Sequence, residues 1–236
     1  MSQELDLLGL MQGRVSTIED ELEESQQRVY GVTLAEVTDI DDIKGLGRVK
    51  VKFPWLSEQV DSAWARIATA WAGGSRGTYL LPEVGDEVVV AFRHGNLKHP
   101  YILGFLWSDE DRPPEFTPRL ERRELRSKSG HRIVFDDLIA NQSLTLQSQG
   151  GHKLVLDDSV ASTEISITDS SGNLSIVLDS HTGKITISTK LGQIALSAPV
   201  GKISIDAAAV SVHATGTLTL KGDASVVVNG TSVKIN

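Results

Sequence analysis

The C-terminal part of the chain repeats one short pattern, two apolar residues separated by a single residue. Twelve such pairs follow residue 130, and their first members are 7 to 11 residues apart. The pairs are Ile133/Phe135, Leu144/Leu146, Leu154/Leu156, Ile165/Ile167, Ile176/Leu178, Ile185/Ile187, Ile194/Leu196, Ile203/Ile205, Val210/Val212, Leu218/Leu220, Val226/Val228 and Val233/Ile235. Because side chains alternate between the two faces of a strand, each pair predicts a short strand with one apolar face. The repeat predicts a β-helix over residues 130–236.

Composition divides the 236-residue chain into two parts. Eleven of its twelve aromatic residues lie between Tyr30 and Phe116, and only Phe135 follows them. The aromatic-rich part can build a globular core, whereas the part rich in Ser and Thr must stack its repeats. There are no cysteines, which excludes a disulfide framework or a thiolate metal site. A formal net charge of -8 argues against a nucleic-acid partner.

The aromatic-rich part predicts a small closed β-barrel over residues 29–111. Five strands, separated by Gly- and Pro-containing turns, are expected at 29–37, 47–53, 63–71, 87–93 and 101–107. Residues 112–129, with three prolines and five arginines up to Arg126, predict an extended linker. Residues 1–28 have an acidic second half and predict an N-terminal arm, either solvated or used for docking. The fold class is therefore all-β.

Four segments of the barrel resemble one family. They are residues 47–55 (GRVKVKFPW), 64–74 (WARIATAWAGG), 81–92 (LPEVGDEVVVAF) and 101–107 (YILGFLW). In this order they resemble the oligonucleotide/oligosaccharide-binding (OB) domain of contractile-tail central spikes, the family of phage baseplate assembly protein V and the VgrG proteins. The resemblance implies a homotrimer, with an OB collar followed by one intertwined triangular β-helix.

The family also implies partners. Since VgrG proteins usually begin with a hub domain and the barrel here is expected from residue 29, we expect a separate hub protein at the N-terminal end. The last apolar pair is followed by one residue, so the open end of the β-helix is expected to bind a tip protein of the PAAR type. Residues 1–15 lack the pattern of a signal peptide. We therefore expect a virion baseplate or a phage-tail-like particle assembled in the cytoplasm.

The repeat alone leaves the number of chains open. Twelve strands in one chain would complete only about four triangular coils at the ~4.8 Å strand spacing, which is short for a solenoid without a cap. Three chains that each contribute one strand per layer would build a rod of roughly 55–60 Å. The resemblance favours the trimer.

Three groups of residues are candidates for a functional site. His131 and His152 precede apolar pairs and could converge on a metal ion at a threefold axis, but a histidine beside a turn more often bonds to the backbone. The doublets Asp136/Asp137 and Asp157/Asp158 could serve sugar hydrolysis or calcium binding, although aspartate next to a turn is commonly structural. The four tryptophans could stack sugars or bases, but barrel core and trimer contacts account for most of them. These four are Trp55, Trp64, Trp71 and Trp107. No catalytic, cofactor-binding or metal-binding residue is predicted.

The sequence predicts a structural protein. The leading function is a non-enzymatic spike that connects a hub to a tip protein and pierces a target envelope, with only transient contact with the target membrane. The alternative is a trimeric tailspike that degrades polysaccharide, yet residues 136–236 contain no aromatic side chain on which a sugar could stack.

Overall fold

The structure is a computed structural model that describes residues 28–56, 61–114 and 121–234. It divides into two compact units, Met1–Leu120 and Glu121–Asn236. The described part of the chain is built of β-strands, with a single 3-10 turn at Arg93–Gly95 and no α-helix. All but the last residue of the predicted arm 1–28 lies outside the described residues.

The first unit contains a closed five-stranded barrel, as the sequence predicts. Its strands are β1 (Val32–Asp39), β2 (Arg48–Lys52), β3 (Ala65–Ile67), β6 (Glu87–Phe92) and β7 (Pro100–Leu106). They close in the order β1-β2-β3-β7-β6, with β3 and β7 parallel and the other described pairs antiparallel. The third strand is shorter than the predicted 63–71, because the chain leaves the barrel to form a hairpin of β4 (Ala72–Gly73) and β5 (Arg76–Gly77).

Alternation along the strands fills the barrel. Val49 and Val51 of β2 and Val88 and Val90 of β6 are fully buried, whereas the residues between them are half-buried. Phe53 and Phe92 pack against each other with ring centroids 5.4 Å apart. The core is therefore made by the period-two pattern that the sequence displays.

The second unit contains a seven-stranded antiparallel sheet. Its strands are β8 (Arg122–Arg126), β9 (Arg132–Asp136), β10 (Ser143–Gln147), β11 (Lys153–Ser159), β12 (Ser162–Thr168), β13 (Leu174–Asp179) and β14 (Lys184–Thr189). Each strand pairs with the one before it and the one after it in the sequence, so the sheet is a meander. The first six predicted apolar pairs all lie on these strands.

Strand β8 lies inside the segment predicted as a linker. Its five residues pair with β9 from Arg122 opposite Asp136 to Arg126 opposite Arg132. The strand carries only one apolar residue, Leu125, so it lacks the paired pattern that marks the others. The linker prediction for 112–129 therefore extends too far, because backbone pairing with β9 holds a charged segment in the sheet.

Residues 190–234 differ from the predicted run of strands. The structure assigns no strand to them, and every one of them is exposed. The chain bends at 190–192, 199–201, 208, 215–216, 223–224 and 231, so the five apolar pairs from Ile194/Leu196 to Val226/Val228 each lie between two bends. The positions of the bends follow the repeat in the sequence. Strand pairing would need a partner strand, and residues 190–234 have none among the described residues. Ile235 lies outside the described residues.

Candidate assembly interface

The register of the meander places the apolar pairs in two continuous rows on one face of the sheet, which we call the apolar face. One row runs along Phe135, Leu144, Leu156, Ile165, Leu178 and Ile185. The other runs along Leu125, Ile133, Leu146, Leu154, Ile167, Ile176 and Ile187. Directly opposite residues in adjacent strands are close enough for their side chains to pack.

The apolar face is largely exposed in the single chain. Nine of its thirteen residues are 37–69% exposed, in contrast to the barrel core, where Val88, Val90 and Ile102 are fully buried. Exposure is highest on the two edge strands, where Leu125 of β8 is 58% exposed and Ile185 of β14 is 69% exposed. Monomeric soluble proteins rarely expose a continuous apolar surface of this kind, so it indicates an assembly surface.

Charged side chains are sorted between the two ends of the strands. We define the basic edge as one set of strand ends and adjoining turns, containing Arg126, Lys128, Arg132, Lys153 and Lys190 with one acid, Asp169. The acidic edge contains Glu121, Asp136, Asp137, Asp157, Asp158, Glu164 and Asp179 with three bases, Arg122, Arg123 and Lys184. With histidines neutral, the net charges are +4 and −4.

His131 and His152, the two histidines considered as possible metal ligands, lie next to turns. Nδ1 of His131 accepts a hydrogen bond from the backbone N–H of Gln149 at 3.2 Å, and Nδ1 of His152 accepts one from that of Ser170 at 3.2 Å. Their own backbone N–H groups donate to the hydroxyls of Ser127 and Ser148. A hydrogen bond with the backbone thus accounts for one nitrogen of each ring, as expected for a histidine beside a turn.

The aspartate doublets also have local partners. Asp136 accepts from the backbone N–H of Leu138 and Asp157 from that of Ser159, while Asp137 forms a 2.7 Å ion pair with Arg123. Across residues 28–56, 61–114 and 121–234, no group of three or more acidic or histidine side chains is arranged to hold a metal ion. The doublets therefore act in turns and at the acidic edge.

The tryptophans of the barrel have different surroundings. Nζ of Lys50 lies 4.8 Å from the ring centroid of Trp64, and the guanidinium of Arg48 also stacks on that ring. The indole N–H of Trp55 donates to the Thr33 hydroxyl at 2.9 Å. Trp71 and Trp107 are exposed and have no ring contact among the described residues. Trp64 precedes β3 and Trp71 follows it, so the prediction that one strand over 63–71 contains both is wrong.

One carboxylate organises the loop between β1 and β2. Asp42 accepts two hydrogen bonds from the Arg48 guanidinium, at 2.6 and 2.9 Å, and others from the backbone N–H groups of Lys44 and Leu46. The Arg48 bonds hold the pKa of Asp42 well below its ordinary value, and the backbone N–H groups lower it further. This network fixes the loop on which Ile43 is 96% exposed. The sequence offered no signal for it beyond an acidic turn.

Among the described residues, no helix is long and apolar enough to cross a membrane.

Comparison with known proteins identifies the barrel. Residues 33–107 match the family described as the type VI secretion system/phage-baseplate injector OB domain. The chain is 31% identical over 110 residues to the type VI secretion system spike protein VgrG2a of Pseudomonas aeruginosa. It is 33% identical over 110 residues to the spike protein VgrG3 of Vibrio cholerae and 36% identical over 112 residues to the spike protein VgrG5 of Pseudomonas aeruginosa.

The matched segments cover 42–44% of this chain but only 11–14% of the length of those three relatives. The match includes all five barrel strands except the first residue of β1, and its order along the chain is that of the four segments that carry the resemblance. Residues 33–107 are thus similar to the injector OB domain, and the resemblance of this chain to the VgrG-like contractile-tail spike family is confirmed over that region.

Proposed function

We propose that this protein is the homotrimeric central spike of a contractile injection machine, a structural protein without enzymatic activity. The observation that carries the proposal is the exposed apolar face of the second unit, joined in one chain to an injector OB domain. The relatives named above are spike proteins, which supports the same role. Such a spike would belong to a virion baseplate or to a phage-tail-like particle assembled in the cytoplasm.

A trimer covers the apolar face in a way that one chain does not. Three copies of the meander, each turning its apolar face inward, would enclose a triangular prism with a continuous core. A single-chain β-helix would instead require each strand to pair with one a full coil away, whereas strands β8–β14 pair with their immediate neighbours in sequence. The meander thus supports three chains that each supply one side of the prism.

Residues 190–234, which we call the distal residues, support a second mode of assembly. Their apolar pairs are 7 to 9 residues apart, compared with 9 to 11 in the meander, and bends replace the chain reversals of hairpins. Since these segments have no partner strand in the described part of their own chain, their free backbone groups can form hydrogen bonds with water or with another chain. In the trimer, the three distal segments would wind around each other and pair between chains.

Measuring the mass of the full chain by light scattering at micromolar concentration tests the assembly. The chain mass is 25.5 kDa, and three times that value is expected. A monomeric mass would overturn the proposal. Incubation with capsular polysaccharide, followed by a reducing-end assay, separates the spike from a polysaccharide-degrading tailspike, because only the enzyme would release sugar ends.

The partners follow from the proposed polarity of the needle. We expect the N-terminal arm and the barrel to bind a trimeric hub protein, and the C-terminal end to bind a PAAR-type tip protein. Deleting residues 226–236 should abolish tip binding and preserve hub binding, since the remaining layers still pair with one another. If this truncation lost the hub and kept the tip, the polarity would be reversed.

A further inference from the structure

We propose that the basic edge of each chain packs against the acidic edge of the next chain. Charge pairing along the three corners then sets the head-to-tail arrangement of the chains around the ring. This inference rests on the proposed homotrimer and specifies the surfaces through which its chains meet. The partner is a second copy of this chain. The occupied surface is the set of strand ends in β8–β14, not the apolar face itself.

Symmetry explains why the two edges should meet. The strands of each sheet stack along the prism, so their ends lie at the corners between chains. In a cyclic trimer every corner joins one edge of a chain to the opposite edge of its neighbour. A net charge of +4 then faces one of −4. A twofold contact at the same corner would bring like edges together and would be repelled.

The acidic edge contains a row of like charges that its own chain relieves at one end only, where Lys184 lies directly opposite Asp179. Asp157 lies directly opposite Glu164, and Glu164 directly opposite Asp179, on three adjacent strands. Like charges directly opposite each other destabilise a sheet. Asp157 and Asp179 accept hydrogen bonds from their own turns, but the side chain of Glu164 has no hydrogen bond or ion pair with any other described residue.

A source of positive charge is therefore required beside Glu164. A bound metal ion is not favoured, because the described acidic side chains form no group able to hold one. Lysine and arginine side chains of the neighbouring basic edge fit this requirement. Arg126 and Lys153 are exposed there, and neither has an ion pair or hydrogen bond from its side chain to another described residue.

Charge reversal in the full chain tests the pairing. Glu164→Lys would relieve the repulsion within its own sheet, so a purely local role predicts equal or greater stability. Pairing between edges predicts the opposite, because the new lysine would face the basic edge of the next chain. Since each substitution acts at three corners, we expect the trimer dissociation constant at low salt to rise about tenfold. Lys153→Glu should have an effect of the same size.

The double variant Glu164→Lys/Lys153→Glu restores opposite charges across each corner. Its dissociation constant should return to within about threefold of the unaltered protein, and the single-variant effects should shrink in 0.5 M salt. Lys98→Glu, at an exposed position in the barrel unit, makes the same change in net charge as Lys153→Glu and should have little effect. Sedimentation in urea gives the dissociation constants.

The two proposals fail in different ways. If the unaltered protein is monomeric, the proposed spike assembly fails. If it is trimeric but Glu164→Lys and Lys153→Glu match Lys98→Glu, only the pairing of edges is overturned. Stabilisation of the trimer by Glu164→Lys, or dissociation by a chelator without any effect of charge reversal, would also overturn it, the latter in favour of a bound cation.

Discussion

Replacing Ile167 with Asp should prevent trimer assembly while leaving the barrel folded. Ile167 lies in the middle of one apolar row, and 48% of it is exposed in the single chain. Full burial of such a side chain contributes about 1.5–3 kcal/mol, so the remaining half contributes about 1 kcal/mol per chain on assembly. Burying an unpaired carboxylate there adds at least a further ~1 kcal/mol per chain.

The effect is multiplied by three in the assembled needle. A loss of at least about 6 kcal/mol per trimer corresponds to roughly a 10⁴-fold increase in the dissociation constant. Light scattering at micromolar concentration should therefore report the monomer mass. All four tryptophans lie in the first unit, so tryptophan fluorescence during urea unfolding reports the barrel alone and should be unchanged.

Ser166→Asp is the matched control. Ser166 is the preceding residue on the same strand and lies on the opposite face, between Val155 and Val177. It introduces the same charge without entering the proposed core, and the trimer should persist. Equal loss of the trimer in both variants would refute the assignment of the apolar face as the interior, as would a fully trimeric Ile167→Asp protein.

Three further predictions concern the first unit. Ile102→Ala, at a fully buried position, should lower the free energy of unfolding by about 2–5 kcal/mol in urea denaturation monitored by tryptophan fluorescence. Arg48 lowers the folded-state pKa of Asp42, so the stability that this carboxylate contributes should be complete above its ordinary pKa of 3.8 and lost as the pH falls through the lower folded value. Asp42→Asn should remove that part of the acid dependence, which urea unfolding at a series of pH values measures. Gly77→Ala should disrupt the β4–β5 hairpin, because the φ of Gly77 is 143° and an added Cβ would lie 2.6 Å from a backbone carbonyl oxygen. Gly74→Ala is the control, since a Cβ there meets no atom within 4 Å. Amide exchange in the hairpin should become faster in the first variant alone.

Much of the barrel could be predicted from local patterns. Val49 and Val51, or Val88 and Val90, alternate with polar or half-buried residues, and that alternation survives in the structure because it is a property of each strand. The Asp42–Arg48 pair could not be predicted, since it depends on how a loop folds back on itself. Strand β8 was missed because its position comes from pairing with β9 and not from its own apolar content.

For the second unit, the sequence by itself determined which residues share a strand face and where the strands alternate with turns. Only the tertiary structure decided that β8–β14 form a meander, because period-two alternation is the same whichever strand is the neighbour. The separation of charge depends on the same decision. The phrases HRIVFDD and HKLVLDD each run from basic to acidic, but both belong to strands of one direction, β9 and β11. Because strand direction alternates in the meander, the basic ends of β9 and β11 lie at one edge of the sheet and their acidic ends at the other. Local sequence does not encode this long-range pairing.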